Sequence, residues 1–371
     1  VLPISQVGGS ANKGHGRLLA PRTGELSRTG PNTHWKSRKD LTMELGFIGL
    51  GRMGGNMVRR LSKAGHQCHV HSANQTTREA LAKEVGTVSY ADIGSLVAAL
   101  AAPRVVWLMV PAGEVTEQVL TELGQLCTSG DIIIDGGNSH FKESVARAQV
   151  LAAKGIHMVD CGTSGGVFGL ARGYSLMLGG ANEAIGRIVP ILDTLAPGIE
   201  AAARTPARDG GPQAPGEAGW LHCGKPGSGH YVKMIHNGIE YGMMQAMAEG
   251  FALFASAGHA VVEEDYRYDL DLAAIAEVWR RGSVVSSWLL DLGADALASN
   301  PTLDQYSTEV ADSGEGRWTI EAAIDQRTSA QVLAAALFAR FSSREKNELG
   351  NRFLSALRNK FGGHPSLSSK G

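Results

Sequence analysis

Short apolar runs alternate with stretches of helical length between residues 45 and 161, and this alternation constrains the fold more than any other feature. The runs are LGFIGL, CHVHS, RVVWLMV, DIIID and HMVDC, and each of the first four is followed by a segment such as EVTEQVLTELGQL. Continuous apolar strands that alternate with helices indicate a parallel sheet covered on both faces. YSLMLGG and the weaker run IEAAA are expected to extend this sheet.

The pattern changes after a loop rich in Gly, Pro and Ala, and the chain from Gly229 to about Lys360 reads as almost wholly helical. We therefore expect an α/β domain at 43–224, followed by an all-α C-terminal domain at 225–371. Residues 1–42 carry seven Lys/Arg, two acids and no sustained periodicity. That composition predicts a disordered extension, with the folded protein beginning near Met43.

Charge, hydropathy and cysteine content exclude several classes of protein. The net charge of −1 argues against a protein that neutralises a nucleic-acid backbone. No apolar run approaches the ~20 residues needed to cross a bilayer. The four cysteines are scattered without a CxxC pair, so we expect neither a disulfide framework nor a metal site, and a cytoplasmic location fits best.

A glycine-rich turn directly follows the first apolar run. GFIGLGRMGGNM places Gly49, Gly51 and Gly54 in the order G-x-G-x-x-G, between a strand and a helix. The first two glycines permit the tight turn and the close approach of a pyrophosphate, and the third lets the helix pack on the strand. The helix N-terminus then supplies amide donors and a favourable dipole for phosphate. The motif in this position predicts a dinucleotide site, so we expect the α/β domain at 43–224 to be a Rossmann-type NAD(P)-binding domain.

The end of the second strand normally distinguishes NAD from NADP. A carboxylate there binds the ribose hydroxyls of NAD, whereas a basic or small polar residue admits the 2′-phosphate of NADP. HVHSANQTTR ends this strand without an acid, and Arg78 follows, although no arginine stands directly at the strand end. NADP is therefore the expected cofactor, and NAD is the alternative.

Two further glycine-rich loops follow predicted strands. DGGNSHFKES carries Asn138 after DIIID, and TSGG carries Ser164, Gly165 and Gly166 after HMVDC. Ligands of open α/β sheets bind outside the carboxyl ends of the strands, so both loops should border the cofactor crevice. The alternative is that they are ordinary turns.

The predicted helix VKMIHNGIEYGMMQ carries a polar stripe. Lys233, His236, Asn237, Glu240 and Tyr241 stand at i, i+3, i+4, i+7 and i+8 and so share one face. The rest of the helix is mostly apolar, which implies that the stripe is buried and needs partners other than water. In such surroundings a lysine can be neutral and act as a base, and a carboxyl can stay protonated and act as an acid. A hydrogen-bond network that only fixes helix packing is the alternative.

These motifs resemble those of the 6-phosphogluconate dehydrogenase family, within the β-hydroxyacid dehydrogenase superfamily. GLGRMGGNM, DGGNS, TSGG, GHYVKMIHNGIEYG and GRWT are similar to family signatures and follow the family order. The resemblance extends from Met43 to about His364, and KMIHNGIEYG is its most specific part. The length of the chain resembles the short bacterial form with one helical unit.

The resemblance implies a role for each polar residue of the stripe and loops. Lys233 matches the general base and Glu240 the general acid. The substrate carboxylate and hydroxyls would be held by Asn138, Ser164, Gly165, Gly166, His236, Asn237 and Tyr241. The dinucleotide would be held by Gly49, Leu50, Gly51, Arg52, Met53, Gly54, Ser72, Asn74, Val110, Pro111, Ala112 and Asn138. No metal is implied.

The resemblance also implies a binding site for a phosphate. Arg340 in FAR matches a phosphate-binding arginine, and Arg358 and His364 in RNKFGGH match a tail that reaches the site of a neighbouring subunit. A site completed in this way implies a homodimer or a larger homo-oligomer. One departure is Ser313, which stands where longer members carry a phosphate-binding lysine, and Arg317 is a candidate to compensate.

The implied activity is the NAD(P)-dependent oxidative decarboxylation of a phosphorylated sugar acid, 6-phosphogluconate, to ribulose 5-phosphate and CO₂ in the pentose phosphate pathway. The first alternative is another β-hydroxyacid dehydrogenase, acting on hydroxyisobutyrate or an unphosphorylated aldonate. Arg340 and the tail speak against it, because a substrate without a phosphate does not need them. The second alternative is a non-catalytic dinucleotide-binding protein.

Overall fold

The computed structural model describes residues 41–345 and 348–362. The predicted disordered extension therefore lies outside the described residues, except for its last two positions. The tail residue His364 lies outside them as well.

A single eight-stranded sheet organises the first half of the chain. Its strands are β1 Glu44–Ile48, β2 Gln67–His71, β3 Val88–Tyr90, β4 Val105–Leu108, β5 Ile132–Asp135, β6 His157–Ser164, β7 Ser175–Gly179 and β8 Trp220–Gly224. Their order in the described part of the sheet is β3-β2-β1-β4-β5-β6-β7-β8. The first six strands are parallel, β7 is antiparallel to β6, and β8 is parallel to β7.

Helices cover both faces of the sheet. The helices between strands are α1 Arg52–Lys63, α2 Gln75–Val85, α3 Ile93–Ala99, α4 Glu114–Leu126, α5 Phe141–Ala152, α6 Gly169–Arg172 and α7 Asn182–Leu195. Successive residues of β4 and β5 join two different buried clusters: Trp107 and Ile134 belong to one, and Leu108 and Ile133 belong to the other. This division confirms the predicted sheet, whose strands are apolar on both faces.

One strand prediction is wrong, and two strands were not predicted. Ile199–Ala201, in the run IEAAA, forms one turn of 3₁₀ helix, and the eighth strand is Trp220–Gly224. Trp220 packs against the core, and its Nε1 donates to Asp193 at 2.8 Å, whereas the alanines at 201–203 are exposed. The short edge strand at Val88–Tyr90 was not predicted.

The second half is helical, as predicted, but with longer connections than expected. Its helices are α8 Ser228–Ser256, α9 Leu272–Arg280, α10 Trp288–Ser299, α11 Glu315–Asp325, α12 Gln331–Arg344 and α13 Glu348–Gly362. Residues 257–271 and 300–314 contain no α-helix. The structure thus confirms the predicted α/β sheet followed by helices, while the division at residue 224 stays a prediction.

The long helix α8 is anchored directly on the sheet. A Cβ atom on Gly162 of β6 would lie 2.3 Å from Cβ of Lys233, and one on Gly229 would lie 2.3 Å from the Met177 carbonyl oxygen. Asp160 accepts hydrogen bonds from the backbone amides of Gly227 at 2.6 Å and His230 at 2.9 Å. Glycine at both contacts and a buried carboxylate at the helix N-terminus therefore hold the first turns of α8 against β6 and β7.

Candidate active site

A cavity of about 1720 Å³ lies between the carboxyl ends of the parallel strands and the helices α8, α10, α11 and α12. Pockets of ~300–1,000 Å³ hold drug-sized ligands, so this one has room for a dinucleotide together with a small substrate. The loops after β1, β4, β5 and β6 line it from the sheet, and Lys233, His236, Asn237 and Glu240 of the polar stripe line it from α8. Tyr241, the fifth residue of the stripe, is not part of the lining. The predicted cofactor loops and the predicted helix thus meet in one place.

The turn between β1 and α1 fits a dinucleotide phosphate. Gly49 has φ +95°, which favours glycine, and a Cβ atom on Gly54 would lie 2.1 Å from the Gly49 carbonyl oxygen. A Cβ atom on Gly51 would meet nothing within 4 Å, so the backbone is open towards the cavity. Gly51 begins α1 without a side-chain cap, which leaves the first amides of the helix available to an anion.

The end of β2 carries donors and no carboxylate. Ser72 lines the cavity, and Nη1 of Arg78 donates to the Ser72 carbonyl oxygen at 3.2 Å. Asn74 instead caps α2, because its Oδ1 accepts from the Thr77 amide at 2.9 Å. A guanidinium therefore lies beside Ser72, at the end of β2.

Most of the predicted cofactor residues border the cavity. Those that line it are Gly49, Leu50, Gly51, Met53, Gly54, Ser72, Val110, Pro111, Ala112 and Asn138. Arg52 and Asn74 are exposed and are not part of its lining. Their contact with a dinucleotide stays a prediction, as does that of the lining residues.

Lys233 is buried where the stripe meets β6, with 8% of its surface exposed. Its Nζ donates a hydrogen bond to Oδ1 of Asn237, one turn further along α8. Burial lowers the pKa of Lys233 from its usual 10.5, and the negative charges of Glu240 and Glu315 partly oppose this shift. An amine in these surroundings loses its proton more readily than a surface lysine does.

The other stripe residues differ in exposure. Asn237 and Tyr241 are buried, but the side chains of His236 and Glu240 are 42% and 37% exposed. His236 contacts Ser164 through Nε2 at 3.3 Å, and its Nδ1 lies 3.8 Å from a carboxylate oxygen of Glu240. The expectation that the whole stripe is buried is wrong for these two residues, because they face the open cavity.

The apolar flanks of α8 also face the cavity. Val232, Ile239 and Met243 are 37%, 50% and 40% exposed and belong to its lining. Trp288 of α10 contributes to the same surface and stacks edge-on against Phe168 at 5.6 Å between ring centroids. The sequence pattern indicated a buried helix, but these side chains are covered only in part in the described chain.

Sequence reasoning missed Glu315, an acidic residue in the cavity wall. Glu315 begins α11 and is 3% exposed. Asn138 Nδ2 donates to its Oε1 at 2.8 Å, and Ser313 Oγ donates to its Oε2. The only signal in the sequence is an acid at the start of a helix after glycine, which is common in helices whose first turn faces water.

Arg340 lies next to the stripe but outside the cavity lining. Its guanidinium stacks on the ring of Tyr241, 3.6 Å from the centroid, and its Nη1 donates to the Ala311 carbonyl oxygen at 2.7 Å. The amide of Ser313, the residue at the position of the family lysine, donates to the Tyr241 hydroxyl oxygen at 3.2 Å. Arg340 and Ser313 thus meet at Tyr241.

Two more arginines lie beside this group. Arg317 and Arg344 both bind the carboxylate of Asp312, at 2.8 and 2.9 Å, and these guanidinium groups hold its pKa well below the usual range. Arg317 is therefore engaged by Asp312, and its suggested compensation for the missing lysine would require it to serve an anionic ligand as well.

Arg358 lies on α13, and its side chain is exposed. It is not among the residues that line the cavity. The neighbouring apolar side chains Leu349, Phe353 and Leu357 are 80%, 62% and 49% exposed. They recur at i, i+4 and i+8 and so form one apolar stripe along α13.

Neither a metal site nor a membrane span is found in the part of the chain that the structure describes. Residues 41–345 and 348–362 contain no group of three or more His, Cys, Asp or Glu that could hold a metal ion. Within the same residues, no helix is both long enough and apolar enough to cross a bilayer.

Both halves of the chain match family models. Residues 44–203 match the NAD binding domain of 6-phosphogluconate dehydrogenase, and residues 229–360 match the C-terminal domain of 6-phosphogluconate dehydrogenase. The chain is 38% identical, over 323 residues, to the NAD(+)-dependent, decarboxylating 6-phosphogluconate dehydrogenase of Haloferax volcanii. That alignment covers 87% of this chain and 98% of the relative.

Solved structures show the same architecture. The 6-phosphogluconate dehydrogenase of Plasmodium falciparum, solved in its apo form, with its cofactor NADP+ and with its substrate 6-phosphogluconate, superposes with a TM-score of 0.67 at 26% identity. The superposition covers 88% of this chain and 67% of that one. The 3-hydroxyisobutyrate dehydrogenase of Mycobacterium tuberculosis shares the fold, with a TM-score of 0.61 at 21% identity and coverage of 82% and 94%.

Proposed function

The chain belongs to the 6-phosphogluconate dehydrogenase family, and we propose that it oxidises and decarboxylates 6-phosphogluconate to ribulose 5-phosphate and CO₂ with reduction of a nicotinamide dinucleotide. The observation that carries this proposal is the position of Lys233. It is buried in the lining of the same cavity as the G-x-G-x-x-G turn.

Lys233 is proposed to act as the general base. Burial lowers its pKa, so a neutral amine is accessible, and its hydrogen bond to Asn237 fixes the direction of Nζ. The amine takes the proton of the C3 hydroxyl, and a bound nicotinamide supplies the acceptor for the C3 hydride. A β-keto acid results, which loses CO₂ readily because the adjacent carbonyl accepts the bonding electrons.

Glu240 is proposed to act as the general acid. Loss of CO₂ leaves an enediol, which must receive a proton at C1 of the product. Glu240 stands seven residues after Lys233 on the same face of α8 and lines the cavity. Its partial exposure allows proton exchange with water between turnovers.

The group around Tyr241 is proposed as the phosphate end of the site. Arg340 supplies a fixed positive charge beside Tyr241, and Ser313 supplies a hydroxyl and an amide at the same place. Guanidinium groups bind phosphate oxygens with paired hydrogen bonds, which a neutral substrate end could not use.

A homodimer is proposed to complete this site. The apolar stripe of α13 is exposed along Leu349, Phe353 and Leu357. Contiguous exposed apolar patches mark interaction surfaces. Arg358 follows on the same helix and is exposed, as a residue that reaches into a neighbouring subunit should be.

Initial rates with 6-phosphogluconate and with gluconate, each measured with NADP and NAD, test the proposed function. We expect kcat/KM for the phosphorylated acid to exceed that for gluconate on the order of 10³-fold or more, because a buried polar subsite rejects a ligand that leaves it unpaired. Comparable rates with gluconate would favour the aldonate-type alternative. Dinucleotide binding without turnover of either acid would favour a non-catalytic protein.

NADP is the proposed cofactor, and Arg78 is the residue on which the choice depends. Its guanidinium lies at the end of β2, beside Ser72. In dinucleotide-binding folds, a basic residue near this strand end accommodates the 2′-phosphate of NADP. We expect Arg78→Ala to lower kcat/KM with NADP by about tenfold to a hundredfold, the loss of a charged hydrogen bond, and to change that with NAD by about twofold. Equal changes with both dinucleotides would contradict the choice of NADP.

A further inference from the structure

Glu315 connects a loop of the sheet to the helical half of the chain at the cavity. Asn138, which donates to its Oε1 at 2.8 Å, belongs to the loop after β5, whereas Ser313, which donates to its Oε2, precedes α11. Ser313 in turn donates its amide to the Tyr241 hydroxyl oxygen at 3.2 Å. One carboxylate thus links the cofactor loops of the sheet to the phosphate end of the helical half.

The surroundings of Glu315 supply hydrogen-bond donors to its carboxylate. Both of its side-chain partners are neutral donors, and it stands in the first turn of α11, where the unpaired backbone amides stabilise an anion. With 3% of its surface exposed, this charge is poorly screened by water. It therefore acts on other charges in the cavity more strongly than a surface carboxylate does.

Lys233 is the cation that this charge reaches. Glu315 opposes the burial that lowers the pKa of Lys233, and Glu240 does the same from its own helix. Helix α8 itself and the elements packed against it carry many titratable or charged side chains: His230, Tyr231, His236, Glu240, Tyr241 and Glu249 on α8, Asp160 and Cys161 on β6, His222 and Cys223 on β8, Lys142, Glu143 and Arg147 on α5, Glu277 and Arg280 on α9, Glu315, Arg317, Glu321 and Asp325 on α11, and Arg340 and Arg344 on α12. Asp160 is engaged by the first amides of α8, so Glu240 and Glu315 are the two carboxylates that face the amine.

We propose that Glu315 is a positioning residue of the active site, which fixes Asn138 after β5 and Ser313 before α11 and sets the electrostatic surroundings of Lys233. Its bond to Asn138 Nδ2 leaves Oδ1 of that amide as an acceptor for a ligand. Its charge keeps Lys233 able to hold a proton between the abstraction and its release. The proposal rests on the proposed function for the role of Lys233, but the link to Asn138 does not.

Two substitutions separate the effect of the charge of Glu315 from that of its side-chain length. Glu315→Gln removes the charge and keeps the size, whereas Glu315→Asp keeps the charge and shortens the side chain by one methylene. Without the charge, the ammonium form of Lys233 loses a stabilising partner. The acid limb of the kcat/KM profile with 6-phosphogluconate should then move to lower pH, by on the order of one unit, in the Gln variant only. Both variants should lower kcat, because Asn138 and Ser313 lose a bond.

A charge control is available on the same helix. Glu321 lies on the exposed side of α11, and Glu321→Gln changes the net charge equally, so its pH profile should match that of the parent. Two results would overturn the proposed electrostatic effect of Glu315 on Lys233. The acid limb of Glu315→Gln could coincide with that of the parent, or the acid limbs of the Gln and Asp variants could move equally. The melting temperature of each variant shows whether its fold is intact. If Glu315→Gln has a folding defect, Glu315→Asp supplies the comparison with the parent.

Dinucleotide affinity provides a readout that does not depend on turnover. Asn138 lines the cavity at the end of β5, so freeing its amide should weaken the binding of NADP, titrated calorimetrically, by about tenfold in Glu315→Gln. Unchanged affinity would overturn the link to Asn138. A parent enzyme that binds NADP without oxidising 6-phosphogluconate would refute the proposed function, and the titration would still decide this link.

Discussion

Lys233→Met is expected to lower kcat for 6-phosphogluconate by about 10²–10⁴-fold, the contribution of a positioned general base. Methionine has a similar length and no proton-accepting group, so it fills the buried site beside Asn237 without restoring the chemistry. In the parent enzyme, the rate should rise with pH through the pKa of Lys233, since only the neutral amine accepts a proton. Burial lowers that pKa, so this limb should lie below the usual 10.5 and should be absent from the residual activity of the variant.

Dinucleotide binding distinguishes a lost base from a damaged fold. The cradle at Gly49, Gly51 and Gly54 belongs to the turn after β1 and the start of α1 and contains no part of α8, so NADP affinity should change by about twofold at most. Lys63→Met, at an exposed position near the end of α1, is the matched control and should keep the parent kcat. Turnover of Lys233→Met within about tenfold of the parent would remove Lys233 from the mechanism.

Glu240→Gln is expected to lower the steady-state kcat by a similar factor, about 10²–10⁴, at a different step. The amide keeps the shape and the hydrogen-bonding length of the carboxyl but cannot deliver a proton to the enediol. Oxidation at C3 does not require that proton. Rapid mixing should therefore still show a first turnover of dinucleotide reduction, followed by slow steady-state turnover.

The shape of that time course separates the two roles. If the absorbance burst and the steady-state rate fall together in Glu240→Gln, Glu240 acts before or during oxidation, and the proposed order is wrong. Glu249→Gln, further along α8 at an exposed position, is the control for a carboxylate of the same helix and should show the parent time course.

The strands of the sheet could largely be predicted because their signal is local. Each buried run from LGFIGL to HMVDC is apolar throughout, and that property depends on no distant residue. The eighth strand, in contrast, depends on a residue that is distant in the sequence. IEAAA and WLHCG are comparable as isolated sequences, and the contact of Trp220 with Asp193 and the core selects the second. That contact joins residues 27 positions apart, which a local pattern does not register.

The candidate site divides in the same way. The spacing of Lys233, His236 and Asn237 places them on one helix face, and the structure brings that face to the cavity. Glu315 could not be identified, because its significance comes from Asn138, which is 177 residues away in the chain. The exposure of Glu240 could not be predicted either, since it depends on how far the cavity opens beside α8.

Because α8 is long and continuous, it fixes the distance between the two proposed proton-transfer residues. Lys233 and Glu240 are two turns apart on one helix without proline, so their Cα atoms are separated by about 10.5 Å along its axis. Motion of the loops that line the cavity could change their distance from α8, but it could not alter that interval. Any motion that accompanies catalysis must therefore carry the ligand to a preset pair of proton-exchanging groups, and new substrates within this fold must be accommodated by the loops.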